Sequence, residues 1–204
     1  MAEQWPSNMA ERWLIVGLGN PGKHYAETRH NVGFWCINRL ARKYGISLET
    51  KRLYAIGQGQ ILDAEVTLAK PRTYVNRSGI AVEQLLKQTQ LEPPRLIVVC
   101  DDLDSPIGRF RMRRGGNHGG HNGLRSIIHD TGRQDFPRIR IGIGRPMIGG
   151  EPSHDAEAVI DYVLSEPPPD DRRLLDEAIE TAVAAIEATI SEGVDVAMDR
   201  YNRG

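Results

Sequence analysis

Cysteine is almost missing from these 204 residues: Cys36 and Cys100 are the two present, and both sit in apolar runs. That usage gives no disulfide framework and fits a reducing, cytoplasmic compartment. No apolar stretch approaches the roughly 20 residues that a bilayer-crossing helix requires, so no membrane association is expected. The opening MAEQWPSNMAER lacks the apolar centre of a signal peptide. It reads as a flexible extension over residues 1–12, ahead of one domain over residues 13–204. Repeats, low-complexity tracts and linkers are absent as well. What remains is an ordinary globular composition, 40% hydrophobic and 26% charged, in a chain long enough for one sizeable core.

A net charge is also lacking, but the overall value of -1 conceals a division. Ser105–Arg145 carries nine arginines against two aspartates, whereas Glu151–Asp199 carries fourteen acids against two arginines. Opposed fields of this size suit a protein that receives a polyanion on one side and repels it on the other. Two solvated faces that merely differ would give the same count.

Strand and helix signals alternate along the chain. Trp13–Leu18 reads as a buried strand, and Val32, Phe34, Trp35, Ile37, Leu40 and Ala41 recur at helical spacing up to a stop at Gly45. Tyr54–Leu62 and Ala64–Ala69 read as two strands joined at Asp63, and a second helix follows Ser78-Gly79. LIVVCD has the unbroken apolarity of a central strand. In IGRFRMRR and RIRIGIG, arginines alternate with apolar residues, the period of a strand with one charged face. The glycine-rich GGNHGGHNG leads into a third helix, and the last 50 residues are helical. The expected fold is a single-domain three-layer α/β/α globule with a twisted mixed sheet between helices.

Gly17, Gly19 and Gly22 in VGLGNPG satisfy the dinucleotide pattern G-x-G-x-x-G. In a dinucleotide fold the helix begins within that pattern, so that its N-terminus faces the pyrophosphate. Here helical spacing begins only near Asn31, and Arg39–Tyr44 is still helix where an acidic ribose ligand would be needed. The glycines instead let the backbone turn and project Asn20 over the strand end. The same loop carries His30, and Asp101 closes the apolar strand LIVVCD. If the two strands are neighbours, imidazole and carboxylate meet beyond their carboxyl ends. There the carboxylate fixes the ring tautomer and leaves the other nitrogen free to take a proton. Asn20, Asn76 and Asn122, each in a turn-rich setting, offer uncharged donors and acceptors for an amide backbone and a polarised carbonyl. This points to base-assisted hydrolysis by water.

In order along the chain stand LIVGLGNPG, Tyr25, RHNVG, NRSG, DDLD, GGHNGL and RIRIGIG. From Leu14 to about Asp199 the sequence resembles the bacterial-type peptidyl-tRNA hydrolases. The resemblance implies cleavage of the ester between a peptide and the 3′-terminal ribose of tRNA, with no metal and no cofactor; the oligomeric state is open, with a monomer as the default. It implies that His30 is the base and Asp101 orients it, while Asn20, Asn76 and Asn122 grip the peptide. Tyr25 and Tyr74 would lie near the 3′-terminal nucleotide, where stacking tolerates any base. Arg113 and Arg140 would clamp the 5′-phosphate. Val75 stands where the family usually has methionine, which leaves the peptide preference open. Two rivals are a metal hydrolase built on His118 and His121, and a binding module that has given up chemistry.

Overall fold

In the computed structural model, which describes residues 11–203, the first apolar run forms strand β1 (Arg12–Gly17). Of the extension expected over residues 1–12, residues 1–10 lie outside the described residues, and Arg12 already pairs with Glu65 of the sheet. Strand β1 is flanked by parallel strands on both sides, β4 (Ala64–Pro71) and β5 (Leu96–Asp102). Leu14, Ile15, Val16, Ile97, Val98 and Val99 are all fully buried, which is why neither run alternates.

The sheet grows outward from this pair. Beyond β4 lie β3 (Tyr54–Ile61) and the short β2 (Glu49–Thr50), both antiparallel to their neighbours. Beyond β5 lie β7 (Arg138–Gly142), parallel to it, and β6 (Phe110–Arg113), antiparallel to β7. The described residues thus form one mixed seven-stranded sheet in the order β2-β3-β4-β1-β5-β7-β6. Helices cover both faces. Helix α1 (Val32–Lys43), the long α5 (Pro169–Glu192) and α6 (Val194–Tyr201) bury Ile37, Ile179, Val183 and Ile186 against Ile15 and Val99. Helices α2 (Ser78–Thr89) and α3 (Asn122–Thr131) bury Val82, Leu85, Leu124 and Ile127 against Leu14, Val16 and Val98.

Two features went unexpected: β2, and a hairpin of β8 (Met147–Ile148) with β9 (Glu151–Pro152) ahead of α4 (Ala156–Val163). Each of these strands has two residues, too few to display an alternation.

The glycine pattern has a steric purpose. A Cβ on Gly17 would sit 2.1 Å from the Gly33 carbonyl oxygen, and a Cβ on Gly33 would sit 2.5 Å from the carbonyl oxygens of both Leu18 and Val99. Helix α1 therefore begins directly against the ends of β1 and β5, and it carries the preceding residues there with it. The obstacles are backbone atoms of the central strands, which cannot swing aside. Gly33→Ala should destabilise the fold by about 3 kcal/mol, the upper range for overpacking a tight core. Urea unfolding of the purified variant would check this, and an unchanged midpoint would contradict the close-approach argument.

Candidate active site

Strands β1 and β5 are paired in parallel, with Gly17 opposite Val99, and the Leu18 N–H continues the ladder to the Val99 oxygen at 2.8 Å. The chain leaving β1 therefore emerges beside the end of β5. It returns through a 3-10 turn (Arg29–Asn31) into α1, and this turn presents His30. His30 Nδ1 lies 2.9 Å from Asp101 Oδ1. The two residues expected to converge do so, and they share a half-buried to buried setting, with side chains 13% and 4% exposed.

Asp101 has a second partner. His121 Nε2 also approaches Asp101 Oδ1 at 2.9 Å, and its ring stands 5.8 Å from that of His30. The tautomer of His121 follows from its other nitrogen: Nδ1 accepts the N–H groups of Gly123 and Leu124 and so carries no proton. Its Nε2–H therefore donates to the carboxylate. His121 is at once the N-cap of α3 and a prop for Asp101. The sequence singled it out only with His118, as the basis of a metal hydrolase. The available signal was its place immediately before a helix, where an acceptor side chain is wanted.

Burial disfavours protonation of His30, but the charge of Asp101 and then its hydrogen bond outweigh that, and the ring's pKa stands above the ordinary histidine value. Burial likewise works against ionised Asp101, yet His30 and His121 hold its carboxyl below the usual carboxylate range. The pair is an imidazole steered through Nδ1 by a fixed anion. Among the described residues nothing hydrogen-bonds to His30 Nε2, which is left to accept a proton. His30, Asp101 and His121 have ligand atoms within 4.8 Å of one another and are of types that bind divalent cations. A cation between them would have to displace both hydrogen bonds to Asp101. His118 lies apart from this cluster, its Nδ1 accepting the Gly120 N–H within the glycine-rich loop.

The asparagines divide into two kinds. Asn20 is buried, and its Oδ1 accepts the Val75 N–H at 2.9 Å, which orients the amide and leaves its NH2 without a described acceptor. Its backbone is gripped by Asn31, whose Oδ1 accepts the Asn20 N–H and whose Nδ2 donates to the Asn20 oxygen. Asn31 was not singled out in the sequence; its side chain turns back eleven residues instead of capping α1, a pairing no local pattern discloses. Asn76 and Asn122 are exposed and line a groove of about 510 Å³ between α2 and α3, with Arg77, Ile80 and Arg125. Tyr25 and Tyr74 meet edge to face with centroids 6.5 Å apart, joining the loops that follow β1 and β4.

The arginine strands lie on the other flank. Opposite each other in β6 and β7 are Arg111 with Arg140 and Arg113 with Arg138, all on the face away from Met112 and Ile139. Arg113 is exposed, and no described residue pairs with it. Arg140 is 13% exposed and donates to Asp102 Oδ1 at 3.1 Å. Arg138, not anticipated, is fully buried and ties the loop carbonyls of Gly116, Asn117 and Gln134 together.

A family model described as peptidyl-tRNA hydrolase matches residues 14–204. The chain is 46% identical over 190 residues to a peptidyl-tRNA hydrolase of Dehalococcoides mccartyi, covering 93% of this chain and 98% of that one. A peptidyl-tRNA hydrolase of Chloroflexus aggregans is 45% identical, over 93% of this chain and 98% of its own. Among solved structures, the crystal structure of peptidyl-tRNA hydrolase from Acinetobacter baumannii superposes with a TM-score of 0.86 at 41% identity, covering 96% and 97% of the two chains.

The raised pKa of His30 has a signed consequence. A histidine pKa raised by folding means that this contact stabilises the fold below the unfolded value near 6.5, and that the contribution is lost as pH rises through the folded pKa. Nitrogen-edited NMR of the imidazole should show His30 titrating above an ordinary histidine, and lower in Asp101→Asn. Coincident titrations in both proteins would remove the carboxylate as the cause.

Proposed function

The chain belongs to the peptidyl-tRNA hydrolase family, and on that premise we propose how its residues divide the hydrolysis of the ester between peptide and tRNA. The observation that carries the proposal is the 2.9 Å contact between His30 Nδ1 and Asp101 Oδ1, with Nε2 unclaimed by any described residue. His30 Nε2 takes a proton from water as that water attacks the ester carbonyl. The imidazolium so formed is stabilised by ionised Asp101, and it returns the proton to the 3′-oxygen of the departing ribose. No covalent intermediate with the enzyme and no cofactor enter this scheme.

Asn20, Asn76 and Asn122 hold the peptide. The amide NH2 of Asn20, oriented by the Val75 N–H, donates to the carbonyl side of the ester region, where such a donor is worth most if it is fixed beforehand. Asn76 and Asn122 follow Val75, which bonds Asn20, and His121, which bonds Asp101; they line the groove between α2 and α3 and pair with peptide amides. Tyr25 and Tyr74 offer the 3′-terminal nucleotide an aromatic corner, in which stacking contributes about 1–3 kcal/mol per base whatever its identity. Arg113 presents an open guanidinium to phosphate, and Arg140, set in place by Asp102, completes the basic face of β6 and β7. The scheme asks for no group from a second copy, and we propose a monomer as the working unit. It acts where its substrate arises, in the cytoplasm.

His30→Ala should lower turnover of an N-acyl-aminoacyl-tRNA by roughly 10²–10⁴-fold, with tRNA binding retained. In the parent protein turnover should fall as pH drops through the raised His30 pKa, because the base must be neutral. Full turnover in His30→Ala would end this assignment. Arg113→Ala should weaken binding across tRNA species and reduce the slope of log affinity against log salt by about 1. A slope that does not change would remove Arg113 from the phosphate contact.

A further inference from the structure

The residue before His30 is a charged group out of water. Arg29 is 5% exposed. Its Nη1 donates to Ser165 Oγ at 2.7 Å and to the Glu166 carbonyl oxygen at 2.9 Å, and its Nη2 reaches Asp171 Oδ2 at 3.1 Å. Its backbone N–H donates to the Ser165 carbonyl oxygen. Its guanidinium carbon lies 4.3 Å from the centre of the Tyr162 ring. Ser165 Oγ in turn donates to the Tyr162 carbonyl oxygen at 2.7 Å, so Arg29 and the end of α4 are bound as one piece.

Tyr162 carries the connection onward. Its hydroxyl donates to the Ile143 carbonyl oxygen at 2.7 Å, and the Ile143 N–H donates to the Asp102 carbonyl oxygen at 2.9 Å. Asp102 is the neighbour of Asp101 in β5. A path therefore runs from the residue before His30, through α4 and the end of β7, to the residue after Asp101. The bond between His30 and Asp101 closes it into a ring.

We propose that Arg29 and Tyr162 are positioning residues for the hydrolysis, setting the separation of His30 and Asp101 through the ring Arg29–Tyr162–Ile143–Asp102. The bond between imidazole and carboxylate must persist while a proton arrives at the ring and departs again. A base displaced by about 1 Å loses much of its rate. The ring reaches both residues through their chain neighbours, Arg29 and Asp102, and so acts on their separation through the backbone. Replacing the Arg29 side chain takes the guanidinium donor from Asp171, Ser165 Oγ and the Glu166 carbonyl oxygen, while the backbone N–H to the Ser165 carbonyl oxygen stays. Removing only the Tyr162 hydroxyl opens the ring at one bond and keeps the aromatic surface beneath Arg29.

The proposal rests on His30 being the base. The test uses the full chain with N-acyl-aminoacyl-tRNA as substrate. Tyr162→Phe should lower kcat by about fivefold and leave KM unchanged, a coupling of the size usual within one hydrogen-bonded network. Arg29→Gln should lower it further, if it folds. In an Asp101→Asn background, where the carboxylate to be positioned is gone, Tyr162→Phe should cost less than about twofold. An unchanged kcat in Tyr162→Phe, a change confined to KM, or the same loss in both backgrounds would each overturn the proposal. If His30→Ala still turns over, the assignment of the base fails first. If His30→Ala is inactive and Tyr162→Phe is silent, the positioning ring alone fails.

Discussion

The structure depends on one buried anion. Asp101 is 3% exposed at the end of a central strand, a place where an unpaired carboxylate would be costly. It is kept ionised because Oδ1 receives hydrogen bonds from two imidazoles on separate segments. One of them, His121, is locked in its tautomer by the first N–H groups of α3, so the positive end of that helix reaches the carboxylate through the ring. The other, His30, has nothing comparable on its outer nitrogen. The two rings differ by what their second nitrogen touches: backbone N–H groups fill His121 Nδ1, whereas no described residue bonds to His30 Nε2, the nitrogen that the proposed base would use.

Bringing His30 to that anion is a matter of backbone clearance. Helix α1 approaches β1 and β5 more closely than any side chain at position 33 allows, and the loop before it is cross-tied by Asn31 to Asn20 and by the Trp35 Nε1–H to the Ala26 carbonyl oxygen. The loop is thus held without lying in a regular element. Rigid placement of this kind is what the proposed role of His30 requires. Of the glycines that mimic a nucleotide-binding turn, Gly17 and Gly19 serve this close packing, and Gly22 supplies a positive φ to the loop.

Electrostatics look different in three dimensions from their count along the chain. Of the arginines between Ser105 and Arg145, Arg114, Arg133, Arg140 and Arg145 pair with acids, and Arg138 is consumed by carbonyls of the glycine-rich loop. Arg111, Arg113 and Arg125 are exposed with no described partner. The acidic helices are similarly occupied, with Glu180 and Glu187 of α5 meeting Arg39 and Lys43 of α1. A basic segment therefore leaves open guanidiniums at Arg111 and Arg113 of β6 and at Arg125 of α3, not a uniformly positive half.

By itself the sequence determined the layers and the mixed sheet, and it marked His30 and Asp101 as the pair that the structure brings together. Unbroken apolarity marked β1 and β5 as central, alternation put the arginines of β6 and β7 on one face, and helical spacing placed α1, α2, α3 and α5. Those signals are legible because burial repeats with the period of the element. Tertiary structure decided what has no period. The second imidazole on Asp101, the return of Asn31 to Asn20, the interior use of Arg138 and the ring through Tyr162 each join groups from turns or strand ends. Hydrogen bonds of that sort depend on where two elements happen to end relative to each other, and a linear pattern of polar and apolar residues carries no record of it.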